Sequence, residues 1–238
     1  MSDYELTEKD NVFVLTLKLG NNVFNPNLIS NIGQALDKVE KSEGPKALVI
    51  TAEDKFFSNG LDLKYLSKAG SEDTLSFFQS IADLLCRILV FPVITIAAIN
   101  GHAFGAGAFL ALSCDFRIMQ NEKGFLCFPE VDLGLPLSDT FRPLVQGKLN
   151  NRVAAKAVLT GKRFSAEEAL KDGIVDQTTK SADLLPTAFA MAKSLASKGA
   201  NRSNLTELKK EVYDHTYRGL TGPRSVKPVN FSGIASKF

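Results

Sequence analysis

The sequence predicts an α/β core that passes into a mostly helical C-terminal third. Three observations predict it. Short β-rich apolar runs alternate with amphipathic helical stretches in the first half. Strand signals thin out after about Asp139 and helical spacing takes over. Between the two regimes the segment INGHAFGAGAFLALSCD, Ile99 to Asp115, joins an apolar strand to a helix through closely spaced glycines.

The elements follow in order. NVFVLTLKL, residues 11–19, alternates and is β-rich, so it reads as a strand. Asn27 to Lys41 sets Ile29, Ile32, Leu36 and Val39 at helical spacing. Lys46 to Ala52 is a short apolar run typical of a buried strand, and Pro92 to Ile99 is another. Between them Ser71 to Phe91 repeats the helical pattern with Leu75, Phe78, Ile81, Leu85 and Ile88. Helical stretches then run over Arg152–Leu159, Ser165–Lys171, Leu184–Ser197 and Leu205–Tyr217. SAEEAL is a capping box, with Ser165 as N-cap, Glu168 as its partner and Gly173 closing the short helix.

With 238 residues and 45% hydrophobic content, the chain suits one large domain or one domain with a helical extension, divided as residues 1–180 and 181–238. The 28 Lys and Arg against 26 Asp and Glu give a net charge of +2, and no basic stripe is interleaved with aromatics, which disfavours nucleic acid as a partner. Cys86, Cys114 and Cys127 sit in apolar runs without metal-ligand spacing and read as buried, reduced thiols. The polar, acidic N-terminus is neither a secretory signal nor a transit peptide, and no apolar run reaches membrane-spanning length. The chain finishes Ser236-Lys237-Phe238, one residue from the peroxisomal Ser-Lys-Leu address. That end predicts the peroxisomal import receptor as a partner, with the cytosol as the alternative location.

Gly101, Gly105 and Gly107 permit close backbone approach, and a helix starting near Gly105 points unpaired N–H donors and its positive dipole end at the turn. An oxygen gaining negative charge is stabilised in such a place. The spacing fits neither G-x-G-x-x-G nor the phosphate-loop pattern. A second glycine turn, KFFSNGLDL from Lys55 to Leu63, precedes a helix with Asp62 near its start. Two such turns can converge on one oxyanion.

FFSNGLD, INGHAFGAGAFLALSCDFRI, FPEVDLGL and GKRFSAEEALKDGIVD occur in the order and spacing of the crotonase (enoyl-CoA hydratase/isomerase) superfamily, which the chain resembles over roughly residues 10 to 180. The resemblance implies a spiral of ββα units followed by a helical region, assembled as a homotrimer or a dimer of trimers. It implies an acyl-CoA thioester substrate whose carbonyl is held by the N–H of Leu61, after Gly60, and the N–H of Ala106, after Gly105. Hydratases of the family use two glutamates. The first position is Phe109 here, and the second matches Glu130. Phenylalanine can neither hold a water nor exchange a proton. One carboxylate suits the Δ3,Δ2-enoyl-CoA isomerases, which turn cis- or trans-3-enoyl-CoA into trans-2-enoyl-CoA in β-oxidation of unsaturated fatty acids. No metal or redox cofactor is implied, since CoA belongs to the substrate. A hydratase-like enzyme and a non-catalytic acyl-CoA-binding homologue stay open as alternatives.

Pro129 before Glu130, with Val131, Leu133 and Leu135 around it, predicts a desolvated carboxyl of raised pKa. Phe109 is assigned to helix packing and to the lining of the acyl pocket. Ser138 matches the third acid of the related dienoyl-CoA isomerases, and Asp139, one residue off, reads as a helix N-cap. His102 and His215 are read as structural, and Asn100 as a brace for the glycine turn.

Overall fold

The computed structural model describes residues 3–223 and Phe231. Strands β1 (Tyr4–Lys9) and β2 (Val12–Leu17) form an antiparallel hairpin. Its turn residues, Asp10 and Asn11, both have positive φ, the geometry of a two-residue turn that matches strand twist. From β2 the sheet continues with all neighbours parallel, through β3 (Ala47–Ala52), β5 (Ile94–Ile99), β7 (Phe116–Gln120) and β9 (Gln177–Thr179). A second parallel sheet holds β4 (Phe56–Ser58), β6 (His102–Phe104) and β8 (Leu126–Cys127). Each long strand β3, β5 and β7 is thus followed by a short strand of the small sheet and then by helix. That repeated ββα step is the expected spiral, and it delivers the end of each small strand to one place.

The helices are α1 (Pro26–Lys41), α2 (Leu63–Leu66), α3 (Ser71–Leu89), α4 (Ala106–Ser113), α5 (Glu130–Leu133), α6 (Arg142–Lys148), α7 (Asn151–Thr160), α8 (Ala166–Lys171), α9 (Leu184–Leu195), α10 (Arg202–Val212) and α11 (Asp214–Thr221). Helix α1 begins where Asn25 accepts from the Leu28 N–H and Pro26 supplies a preset φ. Its buried stripe, Leu28, Ile32, Leu36 and Val39, packs into the main core with Phe78, Ile81, Leu85 and Ile88 of α3. Alternation along β2 sends Phe13, Leu15 and Leu17 to that core, while Val12 and Val14 face a second cluster closed by Ala188 and Ala192 of α9. Helices therefore cover both faces of the large sheet.

Several expectations change. Leu75 is exposed rather than buried, because it lies off the inward stripe of α3. The stretch Leu205–Tyr217 is two helices, broken at Tyr213, where φ −106° and ψ 25° leave the helical region. Asp139 is not the N-cap of α6, which starts after Phe141 without a side-chain cap, and it pairs with Arg142 at 2.6 Å. Strands β7 and β9 extend the large sheet beyond the strands that the sequence pattern marks. The capping box at Ser165 is present as expected, and Gly173 has the left-handed φ of 72° that follows a helix end.

Candidate active site

Three segments meet where the ββα steps end. The first is the turn after β4. Asn59 N–H, Phe24 N–H and Asp62 N–H bond across to Asn21, Gly60 and Phe24 carbonyls at 2.9, 2.7 and 2.9 Å, zipping residues 59–62 onto residues 21–24. Alternation in this extended pairing turns the Leu61 N–H away from Phe24. Asp62 then caps α2 by accepting from the Tyr65 N–H at 2.9 Å.

The second is the turn from β6 into α4. Gly105 N–H is spent on the Cys127 carbonyl at 3.0 Å, and the Gly105 carbonyl accepts from Phe109 N–H at 3.1 Å. Ala106 is the first residue of α4, so its N–H has no partner within the helix. Neither Leu61 N–H nor Ala106 N–H has an acceptor among the described residues. The glycines let the two turns touch. Gly60 has φ +83°, and a Cβ there would lie 2.8 Å from the Phe104 carbonyl oxygen and 3.6 Å from the Ala106 nitrogen. A Cβ on Gly105, at φ +49°, would lie 4.0 Å from Gly60 Cα and 3.8 Å from Pro129 Cδ.

Pro129 belongs to the third segment, and Glu130 follows it as the first residue of α5. Glu130 is 7% exposed, and its Oε2 is buried without a hydrogen-bond partner. Burial pushes its carboxyl up to about 7, opposed only by a bond from its own backbone N–H. A carboxyl with that midpoint takes and returns protons readily at neutral pH. The expected apolar neighbours need one correction, since Val131 points outward and is exposed. Leu133 and Leu135 do pack against the core, and Leu135 N–H donates to the Glu130 carbonyl at 2.8 Å.

Phe109 is fully buried, stacked on Phe141 with centroids 4.3 Å apart and planes 9° apart, and tilted against Phe128 at 5.1 Å. Among the described residues no other acid contributes to the titration of Glu130. His102 lies among Phe56, Phe104 and Phe125, and its Nδ1 accepts from the Phe125 N–H at 3.2 Å. Burial, with Lys55 and Arg163 nearby, pushes its pKa down, so it is a neutral acceptor in a stack. Asn100 Nδ2 donates to the Asp54 carbonyl at 3.2 Å, bracing the turn before Gly101. His215 lies exposed on α11. Cys86, Cys114 and Cys127 are buried and form no disulfide among the described residues, and burial pushes Cys127 up to about 11. Ser236, Lys237 and Phe238 lie outside the described residues.

Sequence reasoning missed a second set of charges, most of them buried. Lys209 Nζ meets Asp115 Oδ2 at 2.6 Å, and Arg117 meets Asp176 at 3.1 Å. Lys148 Nζ donates to the Cys114 carbonyl at 3.1 Å and sits 4.0 Å over the Tyr213 ring, with burial and then Arg117 pushing it down to about 7. These groups lie far apart in sequence, and no local pattern marks them. A cavity of about 320 Å³ opens between α1 and α3, with Tyr65 of α2 and Phe77 of α3 in its wall. Among the described residues no group of His, Cys, Asp and Glu could hold a metal ion.

A ββα spiral that brings two free backbone donors beside one buried carboxyl defines a crotonase-type enzyme. Residues 7–232 match the enoyl-CoA hydratase/isomerase family, and the chain belongs to it. It is 34% identical over 222 residues to enoyl-CoA delta isomerase 3 of Arabidopsis thaliana, covering 90% of this chain and 93% of that one. Enoyl-CoA delta isomerase 2, peroxisomal, of the same plant is also 34% identical, covering 87% and 91%. Among solved structures, an apo Mycobacterium tuberculosis enoyl-CoA isomerase superposes with a TM-score of 0.85 at 25% identity, covering 100% of both chains.

Proposed function

We propose that this chain is a Δ3,Δ2-enoyl-CoA isomerase, converting cis- or trans-3-enoyl-CoA into trans-2-enoyl-CoA in β-oxidation of unsaturated fatty acids. The observation that carries the reading is the buried carboxyl of Glu130, whose Oε2 has no hydrogen-bond partner, and it is joined by the family resemblance, which puts Phe109 at the position of the hydratases' first glutamate. The similarity to the Arabidopsis delta isomerases supports it.

In this reading ionised Glu130 takes a proton from the α-carbon. The electron pair of that C–H bond delocalises through the thioester onto its oxygen, giving a dienolate. The N–H groups of Leu61 and Ala106 donate to that oxygen, and the N-terminal end of α4 adds its positive potential. Protonated Glu130 then returns the proton to the γ-carbon, and the double bond closes between the α- and β-carbons. Protons and charge balance with one acid, and no water enters. Phe109 acts as packing at the buried end of the acyl pocket.

Assembly as a trimer or a dimer of trimers belongs to the same proposal. Peroxisomal location also belongs to it and is supported by relatives named as peroxisomal. The catalytic test is a coupled assay with a cis-3-enoyl-CoA, a separate hydratase and a dehydrogenase reducing NAD. Signal that requires both the protein and the added hydratase is expected. Signal without added hydratase, or none at all, contradicts the proposal.

A further inference from the structure

The charges gathered around Cys114 do not balance. Three cationic side chains, Arg117, Lys148 and Lys209, reach it, and the carboxylates that meet them are already taken: Asp115 Oδ2 pairs with Lys209 Nζ at 2.6 Å, and Asp176 Oδ2 pairs with Arg117 Nη2 at 3.1 Å. Lys148 is left over. Its Nζ donates to the Cys114 carbonyl at 3.1 Å, an oxygen that also accepts from Arg117 Nη1 at 2.9 Å, and it lies 4.0 Å over the Tyr213 ring. Among the described residues no carboxylate pairs with it. An ammonium shut in beside like charges is costly to keep charged.

The contacts of Lys148 join three parts of the chain. Cys114 follows α4, Lys148 ends α6, and Tyr213 is the break between α10 and α11. Lys209, four residues before the break, ties α10 to Asp115 and to the Val93 carbonyl at 2.8 Å. Thr216, three residues after it, donates through Oγ1 to the Pro143 carbonyl of α6 at 3.2 Å. A Cβ on Gly219 would lie 2.6 Å from Pro143 Cγ, so α11 rests directly on α6. The other end of α6 follows Phe141, whose ring stacks on Phe109. One short helix thus runs from the candidate site to the leftover cation.

We propose that Lys148 is a pH-dependent latch on the C-terminal helices: as a neutral amine it lets the α10–α11 junction close on α4 and α6, and gaining a proton loosens that junction. The proposal does not rest on the isomerase reading. The charged groups that reach Lys148 are Arg117 of β7, Asp115 just before it and Lys209 of α10, with the Cys114 thiol beside them. Of the helices packed on α6, α11 holds Asp214 and Arg218 in a pair at 2.7 Å, and neither it nor α4 nor α7 adds a charged group to the titration of Lys148. Burial pushes Cys114 and Tyr213 up to about 12, so both stay neutral. Burial also lowers Lys209, but Asp115 opposes the shift. For Lys148 burial and then Arg117 bring the amine down to about 7, from the 10.5 it regains once opened to water. Opening therefore takes up a proton, and it grows easier as the pH falls from about 10 to about 7.

Amide hydrogen exchange of the full chain tests this at Tyr213 and Tyr217, whose N–H groups donate to the Lys209 and Tyr213 carbonyls at 2.9 and 2.8 Å. Val49, in β3 between β2 and β5, supplies the control. After correction for the intrinsic exchange rate, opening at the two tyrosines relative to Val49 should rise on the order of fifty-fold between pH 9 and pH 7. Lys148→Met should abolish that rise and leave the junction closed at both pH values. Lys148→Gln, which keeps a donor for the Cys114 carbonyl and takes up no proton, should do the same. A wild-type ratio that stays level between pH 9 and pH 7 overturns the proposal, and so does either variant keeping the wild-type dependence.

Discussion

Glu130 and Asp115 are buried to a similar degree, and the fold treats them in opposite ways. Asp115 has a side chain 7% exposed, and its Oδ2 receives Lys209 Nζ at 2.6 Å, Thr95 N–H at 2.8 Å and Thr95 Oγ1 at 3.1 Å. Lys209 in turn donates to the Val93 carbonyl at 2.8 Å, so the pair joins α10 to the edge of β5 and β7. Glu130 is given no such partner for Oε2, and its carboxyl is left near neutrality. Burial alone does not separate a structural carboxylate from a working one. What separates them is whether the fold has satisfied the charge.

The largest way to sharpen the contrast is Glu130→Gln, which keeps shape and removes basicity. Turnover of a 3-enoyl-CoA is expected to fall by on the order of 10³ to 10⁴, with CoA-ester affinity kept, as read by steady-state kinetics and calorimetry. Lys209→Met should do the reverse. It leaves Asp115 buried and unpaired, which costs about 3–5 kcal/mol in denaturant unfolding, while active-site chemistry in the remaining folded enzyme is preserved. Gly60→Ala tests the place where turn meets turn. A side chain at φ +83°, with its Cβ 2.8 Å from the Phe104 oxygen, should cost about 1–3 kcal/mol and shift the Leu61 N–H, so stability and turnover fall together.

The smallest effect is a difference in pH dependence. The folded state holds the Glu130 proton more tightly than the unfolded chain, whose carboxyl titrates at its ordinary 4.5. Its contribution to stability is therefore whole below about 4.5 and is lost as the pH rises through about 7. Glu130→Gln should accordingly melt like the wild type at pH 4 and be more stable at pH 8, by about 3 kcal/mol.

Much of this was legible in the sequence, for physical reasons that can be named. The helices α1, α3 and α9 and the strands β2, β3 and β5 carry periodicities long enough to show their buried faces. Both glycine turns announced themselves, because their backbones require residues without a Cβ. The small sheet did not, since strands as short as Leu126–Cys127 have no period to detect. Strand β1, YELTEK, is an exposed edge whose charges mask its pairing. The break at Tyr213 is set by partners far away in sequence, with Lys209 tied to Asp115 and Tyr213 lying under Lys148. Glu130 was found through its place in a motif, yet the burial of its carboxyl owes nothing to Val131 beside it. Ser138 was noticed as a position, but only the structure shows that its hydroxyl is buried without a hydrogen-bond partner among the described residues.

The account stands most directly on the state of one carboxyl. Titration of Glu130 in the ligand-free wild type by ¹³C NMR, with Glu130→Gln supplying the assignment, should give a midpoint near 7 that coincides with the acid limb of kcat/KM. A midpoint near 4.5, the value of an ordinary solvated glutamate, would contradict it.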